Sequence, residues 1–199
     1  MDKNKHIKIF EKQAKGYEKL QQKDPTARFR KKLIPDAKGK VLEVAVGTGL
    51  NFPHYVGISE LNGIDFSKEM LKAARNTSDQ FPFPIYLEEA DVETVEYEEN
   101  TFDTIVSTLS FCSYESPVEL LNRFQKWCKP NGRILMMEHG ICKSSALGWV
   151  QKKIDPIAYK MIGCHQDRDI TRFVNESNLQ LEKVERKLNG FLYYIWARP

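Results

Sequence analysis

The residues of this 199-residue chain that could do chemistry together are acids and glycines in and after apolar runs, with two histidines further on. Glu43 sits inside Val41-Leu42-Glu43-Val44-Ala45-Val46, and a carboxylate buried in such a run needs a partner. A bound cofactor is the partner expected. Gly47 and Gly49 follow, and without a Cβ their backbone can turn tightly and come close to a ligand. Asp65 ends a second apolar run, where an acid can accept from both hydroxyls of a ribose. Asp91 ends a third, placed to accept from an exocyclic amine. His139, after a fifth run, and His165, in Gly163-Cys164-His165-Gln166-Asp167-Arg168, are the candidate bases.

Such residues converge only if a sheet brings the ends of those runs together. The run at Val41 breaks into small residues, as a buried parallel strand emptying into a glycine loop would. Leu61–Asp65, Pro84–Asp91, Phe102–Leu109 and Arg133–His139 read as four more strands. Between them, Ser67 caps a helix with Met70, Leu71 and Ala74 on its buried side. Pro117–Cys128 makes another, with Val118, Leu121, Phe124 and Trp127 inward, stopped by Lys129-Pro130-Asn131-Gly132. Alternating strands and helices argue for a doubly wound, mostly parallel sheet. Leu179–Val184 and Phe191–Trp196 are then joined across Asn189-Gly190, a strong hairpin signal. The fold expected is α/β, with seven strands and a C-terminal antiparallel hairpin.

Length and composition suit one domain, residues 1–199, with a full core. Residues 1–36 read as a helical cover. Ile7, Phe10, Ala14, Tyr17 and Leu20 form one thin apolar stripe, and Asp24-Pro25-Thr26 starts a second helix. Residues 1–40 hold 13 Lys/Arg against 5 Asp/Glu, spread as on a solvated helix face rather than blocked as for nucleic acid. No nucleic-acid partner is expected, and contact with a membrane surface stays open. Residues 141–165 hold the most apolar non-strand segment, a lid or pocket wall suited to a lipophilic acceptor or an ordinary helix on the sheet edge. Cys112, Cys128, Cys142 and Cys164 lack paired spacing and read as reduced thiols of a cytoplasmic protein, with no metal site expected. Oligomeric state is not readable.

Two cofactors compete for the glycine loop. A dinucleotide fingerprint needs a third glycine where Phe52 stands. No arginine follows the loop to hold a pyrophosphate, and Glu43 would repel one. A phosphate-free cofactor with a cationic amino-acid tail fits better, and S-adenosylmethionine is such a molecule. Here the chain resembles a family. Glu43-Val44-Ala45-Val46-Gly47-Thr48-Gly49 is similar to the E-x-G-x-G-x-G loop of class I S-adenosylmethionine-dependent methyltransferases. Gly63-Ile64-Asp65-Phe66-Ser67-Lys68-Glu69-Met70-Leu71 resembles their second motif and Ala90-Asp91 their third-strand acid. Thr108–Ser113, Lys129–Arg133 and Met137-Glu138-His139 look closest to a branch of quinone, phospholipid and thiol methyltransferases. Ala45 departs from the pattern, standing where the class usually has its first glycine; a methyl group fits there if φ stays negative.

The resemblance implies methyl transfer from S-adenosylmethionine to a small, lipophilic acceptor: a phosphatidylethanolamine-type lipid, a quinone precursor or a thiol. It places the loop from Glu43 and Ala45 through Gly47 and Gly49 to Asn51 against the methionine part and ribose, with Asp65 on the ribose hydroxyls. Phe66, Ser67 and Met70 would lie by the adenine, with Asp91 and Val92 at its edge. Thr108 and Leu109 would offer carbonyls to the amino group, and Tyr17 would shield the sulfonium. An NAD(P)-dependent oxidoreductase and a non-catalytic S-adenosylmethionine-binding module are the alternatives.

Overall fold

The protein's structure, a computed structural model, describes residues 2–199; Met1, the first residue of the expected cover, lies outside them. Helices α1 (Lys3–Leu20) and α2 (Ala27–Leu33) precede strand β1 (Gly39–Val44). There follow β2 (Ile58–Asp65), α3 (Lys68–Ser78), β3 (Ile85–Glu89), β4 (Phe102–Thr108), α4 (Pro117–Trp127) and β5 (Cys128–His139). Helices α5 (Ser145–Ile162) and α6 (Ile170–Glu176) then lead to β6 (Gln180–Lys187) and β7 (Leu192–Arg198). The seven strands form one sheet in the order β3-β2-β1-β4-β5-β7-β6. β1 runs parallel to both β2 and β4, which makes its carboxyl end the point where the strand order reverses. β7 runs antiparallel to β5 and closes the predicted hairpin with β6.

Each central strand is apolar on both faces because helices cover both. Ile134 and Met136 of β5 point into a core with Phe111, Phe124, Trp127 and Tyr193. Leu135 and Met137 point the other way, toward Leu33, Phe52, Leu61 and Tyr194. Ser67 caps α3 through its hydroxyl, and Met70, Leu71, Ala73 and Ala74 form its buried face. In α4 the inward residues are Leu120, Leu121, Phe124 and Trp127, with Val118 only half-buried. The helix ends at Trp127, and Lys129–Gly132 open β5 as an irregular start beside β4. A Cβ on Gly132 would lie 2.5 Å from the Cys128 sulfur, so the chain passes there only as glycine.

Two cysteines overturn the thiol expectation. Cys112, after β4, and Cys164, after α5, form a disulfide with Cα atoms 5.0 Å apart across a sequence separation of 52. Spacing in the sequence hides the pair, because only the packing of α5 back onto the sheet brings the two together. Cys128 and Cys142 remain free.

Candidate active site

β1 ends at Val44 and the backbone turns at once. Ala45 has φ of 49°, Gly47 57° and Gly49 82°, all left-handed. The condition of negative φ for a methyl group at Ala45 is not met: the alanine takes up the conformation that glycine adopts freely, at a cost of roughly 1 kcal/mol. Next door, at the end of β4, Leu109 is also left-handed with φ of 56°. Two strained non-glycine residues thus flank one crevice at the switch point. After Gly49 the chain forms a three-residue 3-10 turn, Phe52–His54, and no α-helix lies between β1 and β2. The Phe52 ring packs so close that a Cβ on Gly49 would meet it at 2.4 Å.

Asp65, at the end of β2, is tied to that loop. Its carboxylate accepts the Gly47 N–H at 2.9 Å and the Ser67 N–H at 2.8 Å. Burial pushes its pKa up to about 6, against the pull of those two donors. Glu43 is wholly buried, and its partners come from the protein rather than from a cofactor, contrary to expectation. Tyr55 donates to it at 2.7 Å and Asn51 at 2.8 Å. Burial raises it to about 7, with Tyr55, Asn51 and Arg30 opposing.

The N-terminal helices cover this crevice. Gln21, just past α1, donates to the Thr48 carbonyl at 2.5 Å and the Ala73 carbonyl at 3.2 Å, pinning the cover to the loop. Arg30 of α2 is buried; its Nε donates to Asp24 at 3.0 Å. Its Nη1 donates to Asn51 at 2.7 Å and Thr108 at 3.1 Å. Arg30 escapes a reading of the sequence because it is one cation among many. Its only mark is position, three and four residues before the buried Leu33 and Ile34.

The crevice beneath this cover, open to solvent, is lined by Tyr17, Arg30, Ala45, Gly47, Asp65, Phe66, Met70, Thr108 and Leu109, among others. Phe66 meets Phe10 of α1 edge-on at 5.6 Å. The structure leaves other predicted residues off this wall. Asn51 is buried as the bridge between Arg30 and Glu43, Ser67 is taken up as the cap of α3, and Gly49 faces a separate cleft with Phe81. Asp91 pairs with Lys3 and lines a neighbouring cleft that shares Phe66 and Tyr114, while Val92 is core.

Residues 42–136 match the family model described as a methyltransferase domain. The phosphatidylethanolamine N-methyltransferase of Cereibacter sphaeroides is 30% identical over 78% of this chain and 77% of its own length. The chain belongs to the methyltransferase family. The mitochondrial methyltransferase OMS1 of Saccharomyces cerevisiae is 30% identical over 96% of this chain, which spans only 45% of that relative's length. Among solved structures, an S-adenosylmethionine-dependent methyltransferase from Mesorhizobium loti superposes with a TM-score of 0.66 at 16% identity, covering 88% of this chain and 96% of that one. The family and fold imply S-adenosylmethionine as cofactor.

The methyltransferase cavity fits that cofactor on its own observations. The loop at Gly47 leaves open the space a Cβ would enter, with no atom nearer than 4.0 Å. The Tyr114 hydroxyl, on the cavity wall, is buried beside Ser110 and, among the described residues, closes no hydrogen bond of good geometry. A pyrophosphate, by contrast, would find no helix N-terminus after the glycine loop. The signal missed on the wall's far side is Glu138, penultimate in β5. Its buried carboxylate accepts from Ser107 Oγ at 2.6 Å, Ser110 N at 2.8 Å and Phe111 N at 3.1 Å. It thereby fixes the loop carrying Leu109, Ser110 and Tyr114. Burial raises Glu138 to about 7, and those three donors pull against it.

Neither predicted base lines this cavity. His139 turns inward: its Nε2 lies 2.9 Å from the Cys164 sulfur, and its ring stacks on Phe191 at 5.1 Å. Burial holds it at about 4, so it is neutral at physiological pH. His165 is held by Asp155 at 2.7 Å and stacks on Tyr159 at 4.0 Å. Both histidines serve the packing of the segment after β5 rather than the crevice.

Proposed function

We propose that the protein transfers the methyl group of S-adenosylmethionine to a small lipophilic acceptor: a phosphatidylethanolamine-type lipid, a quinone precursor or a thiol. The observation that carries the reading is the join of Asp65 to the Gly47 loop beneath a cover that brings Arg30 to the same wall. The cofactor, when bound, supplies a methyl group on a sulfonium with an already good leaving group, so the protein's task is alignment and exclusion of water. Asp65 suits the ribose hydroxyls, and Arg30 suits the carboxylate of the amino-acid tail. Phe66 and Met70 offer apolar surface to the adenine. The carbonyls of Thr108 and Leu109 are acceptors for the ammonium. Tyr17, on the cover helix, shields the reacting centre from water.

Among the described residues the cavity wall includes no histidine, lysine or cysteine, and its carboxylate is Asp65. The relative named as a phosphatidylethanolamine N-methyltransferase supports a lipid as one acceptor class. Incubation with methyl-labelled cofactor and, separately, phosphatidylethanolamine vesicles, a quinone precursor and an alkyl thiol tests the reading. Labelled product from one of the three is expected. Bound cofactor with no label in any of them would instead make the protein a cofactor-binding module.

A further inference from the structure

Helix α5 is inside out. Its buried residues are Gly148, Gln151 and Asp155, and the two polar ones are bonded inward. Gln151 accepts from Cys142 N at 2.8 Å and donates to the Gly140 and Gln166 carbonyls at 3.0 and 2.7 Å. Asp155 accepts from Gln166 N at 2.5 Å and pairs with His165. A neighbouring face carries Leu147, Val150, Ile154, Ile157 and Met161, spaced three and four apart as a single stripe, and all are exposed. Ile157 is 63% exposed and Met161 71%. An amphipathic helix in water normally turns that stripe inward. A contiguous apolar face left outside a polar anchor marks a docking surface.

Charge selects the occupant. The one acid of α5, Asp155, is buried, so its exposed charges are Lys152, Lys153 and Lys160. Helix α1 touches the C-terminal end of α5, through Gln13 to the Ile162 carbonyl and His6 to the Gly163 carbonyl. Along α1, Lys5, Lys8, Lys12, Lys15 and Lys19 are exposed and fall on one helical stripe. A second copy of this chain would oppose these lysines with its own. An anionic surface complements them.

We propose that α5 docks on an anionic phospholipid bilayer, its apolar stripe at the acyl boundary and the lysines of α5 and α1 toward the headgroup phosphates. No described helix is long and apolar enough to cross a membrane, so α5 lies in the interface. The proposal builds on the reading of the acceptor as lipophilic, because such a surface is where that acceptor dissolves. Its test uses no cofactor and so fails or succeeds apart from methyl transfer.

The test is co-sedimentation with vesicles of phosphatidylcholine alone and of phosphatidylcholine with phosphatidylglycerol, read together with tryptophan emission. Trp127 and Trp196 are buried, whereas Trp149 of α5 is 63% exposed beside Lys153, so its emission is the one that docking of α5 would change. Binding about tenfold stronger to the anionic vesicles is expected, with a blue shift of emission and loss of binding in high salt. The double variant Ile157→Gln, Met161→Gln, and separately Lys8→Glu, Lys12→Glu, Lys15→Glu, should each weaken binding about tenfold or more while leaving melting temperature unchanged. Equal partition of wild type and variants would overturn the proposal. So would no binding to anionic vesicles, or a dimer in sedimentation that the Ile157 and Met161 changes dissolve.

Discussion

Asp65 and Gly47, eighteen residues apart, are already joined by a 2.9 Å hydrogen bond from the Gly47 N–H to the Asp65 carboxylate. The glycine loop is thus held in its binding shape by the acid proposed to bind the ribose. Ordering that would otherwise oppose binding is done in folding.

Burial of Asp65 gives cofactor affinity a pH dependence. Its pKa is pushed up to about 6 against the pull of the Ser67 and Gly47 donors, and ribose hydroxyls need the ionised carboxylate as acceptor. Affinity should rise as pH increases to about 6 and level off above it, weakening about tenfold for each unit below. Asp65→Asn should bind more weakly and lose the dependence. Calorimetry at pH 5, 6, 7 and 8 measures both.

Glu43 and Glu138 predict an opposite trend in the stability of the cofactor-free protein. Burial raises both to about 7, so the folded state holds protons that an unfolded chain releases near its ordinary carboxylate value of 4.5. Their contribution to stability is full below that value and is lost as pH rises through about 7. Thermal melts should therefore fall across pH 5–7, and Glu138→Gln should flatten part of the slope. Glu138→Ala, leaving the Ser107, Ser110 and Phe111 donors unmet, should cost about 3 kcal/mol near pH 5 and less as pH rises through about 7.

Arg30→Lys keeps the charge and loses the fork that reaches Asp24, Asn51 and Thr108 together. Cofactor affinity should fall by about 1–2 kcal/mol. If Arg30 served only the packing of α2, melting temperature would drop with no change in binding constant.

Ala45→Gly relieves the left-handed alanine. Most alanine-to-glycine changes destabilise through the unfolded chain, but here the gain of roughly 1 kcal/mol in the loop outweighs that loss. Denaturant unfolding should show equal or higher stability.

The Cys112–Cys164 bond closes a long loop, and chain entropy assigns it about 4 kcal/mol. Cys112→Ser with Cys164→Ser, or reduction of the native protein, should lower the melting temperature by several degrees.

The sequence made the scaffold legible because each strand carries its own signal: continuous apolar runs, a terminal acid, and Asn-Gly at the hairpin. Gly47, Asp65, Phe66, Met70, Thr108 and Leu109 could be placed on one wall because strand ends converge wherever such a sheet forms. What stayed hidden depends on distant partners. Nothing near Glu43 names Tyr55 and Asn51 as its donors, and only its spacing from Leu33 and Ile34 marks Arg30 among the basic residues around it. Cys112 and Cys164 meet only through tertiary packing. The apolar stripe of α5 reads the same whether it faces in or out. Gln151 and Asp155, four apart and off that stripe, are the polar pair that the fold buries.

Calorimetric titration with S-adenosylmethionine, its demethylated product S-adenosylhomocysteine, and NAD tests the central claim most directly, using wild type and Asp65→Ala. Binding of both S-adenosyl compounds, weakened about tenfold or more by Asp65→Ala, with no heat from NAD, is the predicted result. Tight NAD binding, or S-adenosylmethionine affinity unchanged by loss of the Asp65 carboxylate, would contradict it.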